Sequence, residues 1–136
     1  MNSIFEITEN GDIDQLKRII KELDSDEEII QLVNSQDQIT AKSPLHIAAK
    51  LGYFDICQCL QQNGAELDIL DIEDKTPLHF AAEADSFEIC QFFVDEGANI
   101  DAKDVSISQL IQFIFIFLSR FIYFFISKVS FFQFLN

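Results

Sequence analysis

Few of the residues on which most site chemistry depends occur in this chain. Of 136 residues, two are histidine, three cysteine, four glycine and two proline, and none is tryptophan. The glycines are too far apart for a phosphate-cradling loop, which needs several amides converging from closely spaced glycines. No nucleophile motif occurs. Cys57, Cys59 and Cys90 lack metal-type spacing with His46 and His79. Acidic residues outnumber basic ones 23 to nine, a net charge of −14, which disfavours binding to nucleic acid through phosphate neutralisation. The expectation is a chain with no catalytic, cofactor or metal site. An odd cysteine count, and no signal peptide in Met1-Asn2-Ser3-Ile4-Phe5-Glu6, predict a reducing, cytoplasmic setting.

What the chain does have is repetition. Ser43-Pro44-Leu45-His46-Ile47-Ala48-Ala49 returns 33 residues later as Thr76-Pro77-Leu78-His79-Phe80-Ala81-Ala82. Ile56-Cys57-Gln58 returns as Ile89-Cys90-Gln91, Leu60 as Phe93, Gly64-Ala65 as Gly97-Ala98 and Asp68 as Asp101. A fixed period of this length is the mark of stacked units, each burying its apolar face against its neighbours. Such stacks present an extended surface in place of a water-excluded pocket.

The repeated residues have identifiable duties. Ser43 and Thr76 are helix N-caps, and Pro44 and Pro77 follow at the first helical position, where a missing N–H costs nothing. The Ala48-Ala49 and Ala81-Ala82 pairs let helices approach closely, so all four are expected to be buried. First helices are predicted at about 44–51 and 77–84, second helices at about 54–62 and 87–95, with a hairpin at about 67–75. Ala41 and Asp74 hold equivalent places 33 residues apart, at positions that in the repeat family these motifs resemble usually carry a tip glycine, and Asp85 stands where Gly52 would recur. Asp tolerates a left-handed backbone better than most residues, so some local strain or loosening is expected in the second of the two repeated units, and not a broken fold. Asp68, Asp71, Glu73 and Asp74 lack the glycine and terminal glutamate of a calcium loop and read as a solvated tip. The histidines read as structural residues at the hairpin–helix junction, and Cys57 and Cys90 as buried thiols.

These motifs resemble the ankyrin repeat, with complete units at 38–70 and 71–103. Residues 1–37 read as a helical cap or partial repeat, in which Gly11-Asp12-Ile13-Asp14 matches the Gly52-Tyr53-Phe54-Asp55 turn. Ser3, Asp12 and Ser25 there resemble capping residues. Ile13, Leu16, Ile19, Ile20 and Leu23 fall on one helical face, and Ile29, Ile30, Leu32 and Val33 suggest a further short helix in an insertion at 24–37. The expected fold is all-α, an ankyrin-type solenoid with an apolar C-terminal helix.

Residues 104–136 do not fit the repeat. All 23 acidic residues and seven basic ones lie at or before Asp104, a net −16, whereas two basic residues follow, a net +2. Nine of the fifteen phenylalanines lie after residue 106, and Leu110 to Ile126 contains no glycine, proline or alanine. Three readings stand open. The tail could be a membrane segment, since about 20 apolar residues span a bilayer, although Arg120 would cost about 2.5–3.5 kcal/mol there. It could cover the open end of the solenoid, where Phe87, Ile89, Phe92 and Phe93 have no further repeat to meet. It could also be a translated non-coding or frame-shifted stretch, because its residues are those of A/T-rich codons.

The resemblance implies a protein–protein interaction scaffold or adaptor, binding a protein partner on a concave face of hairpin tips and first helices. Carried onto this chain, that face comprises Ile39, Lys42, Ile47 and Lys50 from one unit. Asp71, Glu73, Lys75, Phe80 and Glu83 come from the next, and Asp101 and Lys103 from the tip after it. The acid on the second unit suits a basic partner segment. The alternative is a membrane-anchored adaptor, or a fragment of a larger ankyrin-repeat membrane protein with its repeats facing the cytosol, held by the segment around 107–126.

Overall fold

In the computed structural model, which describes residues 3–100, 118–126 and 128, the first three helices begin where a side chain receives an unpaired amide. Ser3 Oγ accepts from the Glu6 N–H at 3.2 Å and opens α1, Ile4–Glu9. Asp12 does the same for Gln15 at 2.9 Å and opens α2, Ile13–Lys21. Ser25 accepts from Glu28 at 3.2 Å and opens α3, Asp26–Val33. The Ser-Pro and Thr-Pro pairs open α4, Pro44–Leu51, and α6, Pro77–Glu83. The second helices are α5, Phe54–Gln62, and α7, Phe87–Asp95. These bounds match the repeat pattern except that α6 stops at Glu83, with Ala84 as its cap. Among the described residues there is no strand.

The chain divides into two units, Met1–Lys103 and Asp104–Asn136. In the first, α1 pairs with α2, α4 with α5 and α6 with α7; α4 packs on both α1 and α6, and α5 on both α2 and α7. First helices thus form one row and second helices another, and residues 4–21 contribute a whole helix pair to the stack. The extra helix α3 lies beside the turn after α5. A Cβ on Gly64 would come within 3.0 Å of Ile30, and Asn34 Nδ2 donates to the Gly64 carbonyl at 2.9 Å while its Oδ1 accepts from the Glu66 N–H at 2.7 Å.

The core confirms most of the small-residue reading and corrects part of it. Leu45, Ala48, Ala49 and Ala81 are fully buried, but Ala82 is only half-buried. Ala49 has the next first helix beyond it, and no such helix follows Ala82 among the described residues. Ile89 and Phe93, expected to await a further repeat, are buried within their own unit. Phe92 is half-buried and meets Phe54 edge-on at 5.4 Å, a stack between successive second helices. Phe87 alone of that group is exposed.

The positions that lack the usual glycine keep its conformation. Ala41, Asp74 and Asp85 have φ of 54°, 59° and 54°, close to the 76° of Gly52. A left-handed residue with a Cβ costs about 1–2 kcal/mol, a cost that Asp eases with local hydrogen bonds and alanine cannot.

In the second unit, residues 118–126 are helical, and Leu118, Phe121, Ile122, Phe124, Phe125 and Ile126 are exposed. Among the described residues no helix is long and apolar enough to cross a membrane. The membrane-span, cap and frame-shift readings rest largely on 104–117 and 129–136, which lie outside the described residues, as do Asp101 and Lys103.

Two substitutions test this packing. Ala81→Leu should cost about 1–3 kcal/mol through overpacking, and Ala82→Leu distinctly less, in denaturant unfolding of the chain. Equal costs would contradict the burial difference. Ala41→Gly should raise stability by about 0.5–1 kcal/mol, because relief of the left-handed strain exceeds the entropy glycine adds to the unfolded state.

Candidate binding surface

Each hairpin tip is organised by one aspartate. Asp71 N–H donates to the Lys75 carbonyl at 3.0 Å, and its Oδ1 accepts from the Glu73 and Lys75 amides at 2.9 Å each. In the preceding unit Asp37 N–H donates to the Lys42 carbonyl at 3.0 Å. Its carboxylate accepts from the Ile39 and Thr40 amides at 2.9 Å each and from the Thr40 hydroxyl. Those bonds, the Thr40 hydroxyl foremost, hold the Asp37 carboxyl below the usual range. The structural partner of Asp71 is therefore Asp37, whereas a uniform 33-residue register pairs it with Gln38. The first tip is one residue longer. The tips are joined directly by the Ile72 N–H donating to the Thr40 carbonyl at 3.0 Å.

From tip to helix the chain passes through a histidine. Ser43 and His46 form a capping box at the start of α4, with imidazole in place of the usual glutamate. The Ser43 N–H donates to His46 Nδ1 at 3.0 Å, so that nitrogen carries no proton. Nε2 is then the protonated nitrogen, and it donates to the Lys75 carbonyl at 2.9 Å. One neutral ring caps its own helix and holds the next unit's tip. Burial keeps the His46 pKa below its ordinary value. Thr76 and His79 repeat the box, with the Thr76 N–H donating to Nδ1 at 3.0 Å. The junction reading of both histidines holds.

Between the first tip and the first helices lies a groove of about 670 Å³, lined by Phe5 and Glu9 of α1, Asp37, Thr40 and Lys42 of the tip, and His46, Ile47, Lys50 and Leu51 of α4. Lys42, Ile47 and Lys50 are among the expected contact residues; Phe5, Glu9, Asp37, Thr40, His46 and Leu51 are not. Ile39 stands at the tip, 81% exposed. In the second unit Lys75 Nζ pairs with Glu83 at 2.9 Å and Glu73 at 3.3 Å. Two expected contact residues are corrected. Asp71 and Phe80 are each 5% exposed, because Asp71 serves its tip's amides and the Phe80 ring underlies two lysines. Lys42 Nζ lies 5.1 Å and Lys75 Nζ 5.7 Å from its centroid, and His46 meets it edge-on at 5.5 Å. Phe80 positions cations at the surface and does not itself form the surface.

The family model described as ankyrin repeats (3 copies) matches residues 4–104, the span that holds all three helix pairs. The chain belongs to the ankyrin repeat family. Ankyrin repeats are generally protein–protein interaction modules and typically non-enzymatic scaffolds. The cysteines of this ankyrin stack are buried and free. Burial pushes the Cys57 thiol up to about 12 and Cys90 to about 11, so both stay protonated and unreactive at neutral pH. Asp68, part of the acidic cluster at the second tip, accepts from the Asn99 N–H at 2.8 Å and so ties one ankyrin unit to the next.

His46 makes the stack sensitive to acid. Its folded pKa lies below the unfolded value of 6.5, so the unfolded chain takes up the proton first. The stability given by the neutral ring is intact above pH 6.5 and is lost as pH falls from there through the folded pKa. In urea unfolding from pH 7.5 to pH 5, the advantage of wild type over His46→Gln should therefore shrink. A difference constant across that range would contradict a neutral, proton-accepting Nδ1.

Proposed function

We propose that this protein is an interaction scaffold that binds a protein partner on the concave face formed by α1, α4, α6 and the two hairpin tips. The observation that carries this reading is the groove between α1, α4 and the first tip, where apolar side chains lie open between charged ones. Ile47 is half-buried there and Leu51 exposed. Well-packed helix-pair stacks leave few such openings, and an apolar floor inside a charged rim is the usual composition of an interface core.

Toward the second tip the surface changes sign. Glu73 and Glu83 outnumber the Lys75 they share, and Asp74 is exposed beside them. That end favours a basic segment of the partner, which would be steered by long-range attraction.

A second reading, a module tethered to a membrane surface through its tail, is favoured by one observation, the exposed aromatic helix at 118–126. Fractionation of the full chain and of a form lacking 107–136 separates it from a freely cytoplasmic module. Loss of membrane association on deletion supports tethering; no association in either form rejects it.

The concave face is tested by comparing the proteins retained on the immobilised chain with those retained by its variants. Ile39→Asp with Leu51→Asp should abolish retention, and Asp55→Lys, on the second-helix row, should not. Retention that survives the double variant overturns the assignment. Association with a partner so found should slow as salt rises, and the salt dependence should fall in Glu73→Lys with Glu83→Lys.

A further inference from the structure

Building on the concave-face reading, we infer that the groove between α1 and α4 takes a partner segment in which a large apolar side chain stands beside a carboxylate. Three observations carry this. The floor is apolar, with Phe5, Ile47 and Leu51 reachable from outside. Its rim holds Lys42 and Lys50, neither of which forms an ion pair with a carboxylate among the described residues, whereas Lys75 one unit on is held by two glutamates. The rim's own carboxylates do not meet that need. Both oxygens of Asp37 are engaged by its tip, and Glu9 stands at the far end of α1 without reaching ion-pair distance of either lysine.

The charge pattern then selects the ligand. A side chain that covers the floor also takes the lysine rim out of water, and uncompensated desolvation of cations is costly. A neighbouring carboxylate offsets that cost, and a basic neighbour adds to it. The local sign is opposite to that of the chain, which carries −14 overall. An acidic partner is therefore repelled by most of the first-helix and tip surface but not at this groove, which favours the groove as the place where such a segment docks on that face. Lys42 is held ready for it, since its stack on Phe80 at 5.1 Å from the centroid fixes the ammonium at the rim.

The test is selection of random dodecapeptides displayed on phage against the immobilised full chain, followed by fluorescence anisotropy of the enriched peptides with a fluorescein label. Enriched peptides should place aspartate or glutamate beside leucine, isoleucine, phenylalanine or tryptophan. Their affinity should fall on the order of tenfold in Lys50→Glu, an exposed position, and in Lys42→Glu. Leu51→Asp should weaken them at least as much, and thermal melts of each variant show that it is folded. Peptides that are basic or neutral, lose binding in Leu51→Asp and ignore both lysine reversals would overturn the ligand chemistry and leave the concave-face reading standing. Binding unaffected by all three variants would overturn both. No enrichment over the uncoated support would overturn the ligand chemistry.

Discussion

The stack depends on the neutral imidazole of His46. Its Nδ1 accepts the Ser43 amide, which fixes the start of α4, and its Nε2 donates to the Lys75 carbonyl, which fixes the following tip. A local event, capping a helix, is thereby coupled to a non-local one, the spacing of two units. No other neutral side chain both accepts and donates through two rigidly opposed atoms in so little volume. Alanines at 48, 49 and 81 allow the helices to approach closely enough for that second bond to form. Phe80, edge-on to the same ring, carries the effect outward by seating Lys42 and Lys75. The surface proposed to meet a partner is thus set by the same contacts that hold the units together.

The order of events along the chain makes the concave face a consequence of capping. Aspartates 37 and 71 close the tips, Ser43 and Thr76 turn the chain into α4 and α6, and the left-handed residues at 52 and 85 turn it back into α5 and α7. Each tip is then held at the edge of the first-helix row. The Ile72-to-Thr40 bond between tips makes the row of tips continuous with the row of helices. The first helices of three pairs and the tips form one continuous row, along which Lys75 is paired with two glutamates while Lys42 and Lys50 pair with no carboxylate among the described residues.

Much of this is legible in the sequence. Proline after Ser43 and Thr76, and glycine at 52, 64 and 97, mark helix ends so directly that four helix positions follow, with only α6 one residue shorter than expected. Ala41, Asp74 and Asp85 were recognisable as residues forced into a glycine conformation. Other features were hidden for definite reasons. A fixed 33-residue register conceals a one-residue insertion and pairs Asp71 with Gln38, although Asp37 is its counterpart and both aspartates precede a tip. Charge suggests exposure, yet Asp71 is buried, with its Oδ1 accepting two backbone amides. Phe5, Glu9 and Leu51 reach the groove only because α1 stacks on α4, a pairing that no local motif announces.

The most direct test of the account is the tautomer of His46 in the folded chain, read from a long-range proton–nitrogen spectrum of the ring at neutral pH. The structure requires an unprotonated, acceptor-type Nδ1 and a protonated Nε2, with both signals assigned by their loss in His46→Gln. A protonated Nδ1, or two equivalent nitrogens averaging between tautomers, would contradict the double role on which the stacking and the concave face rest.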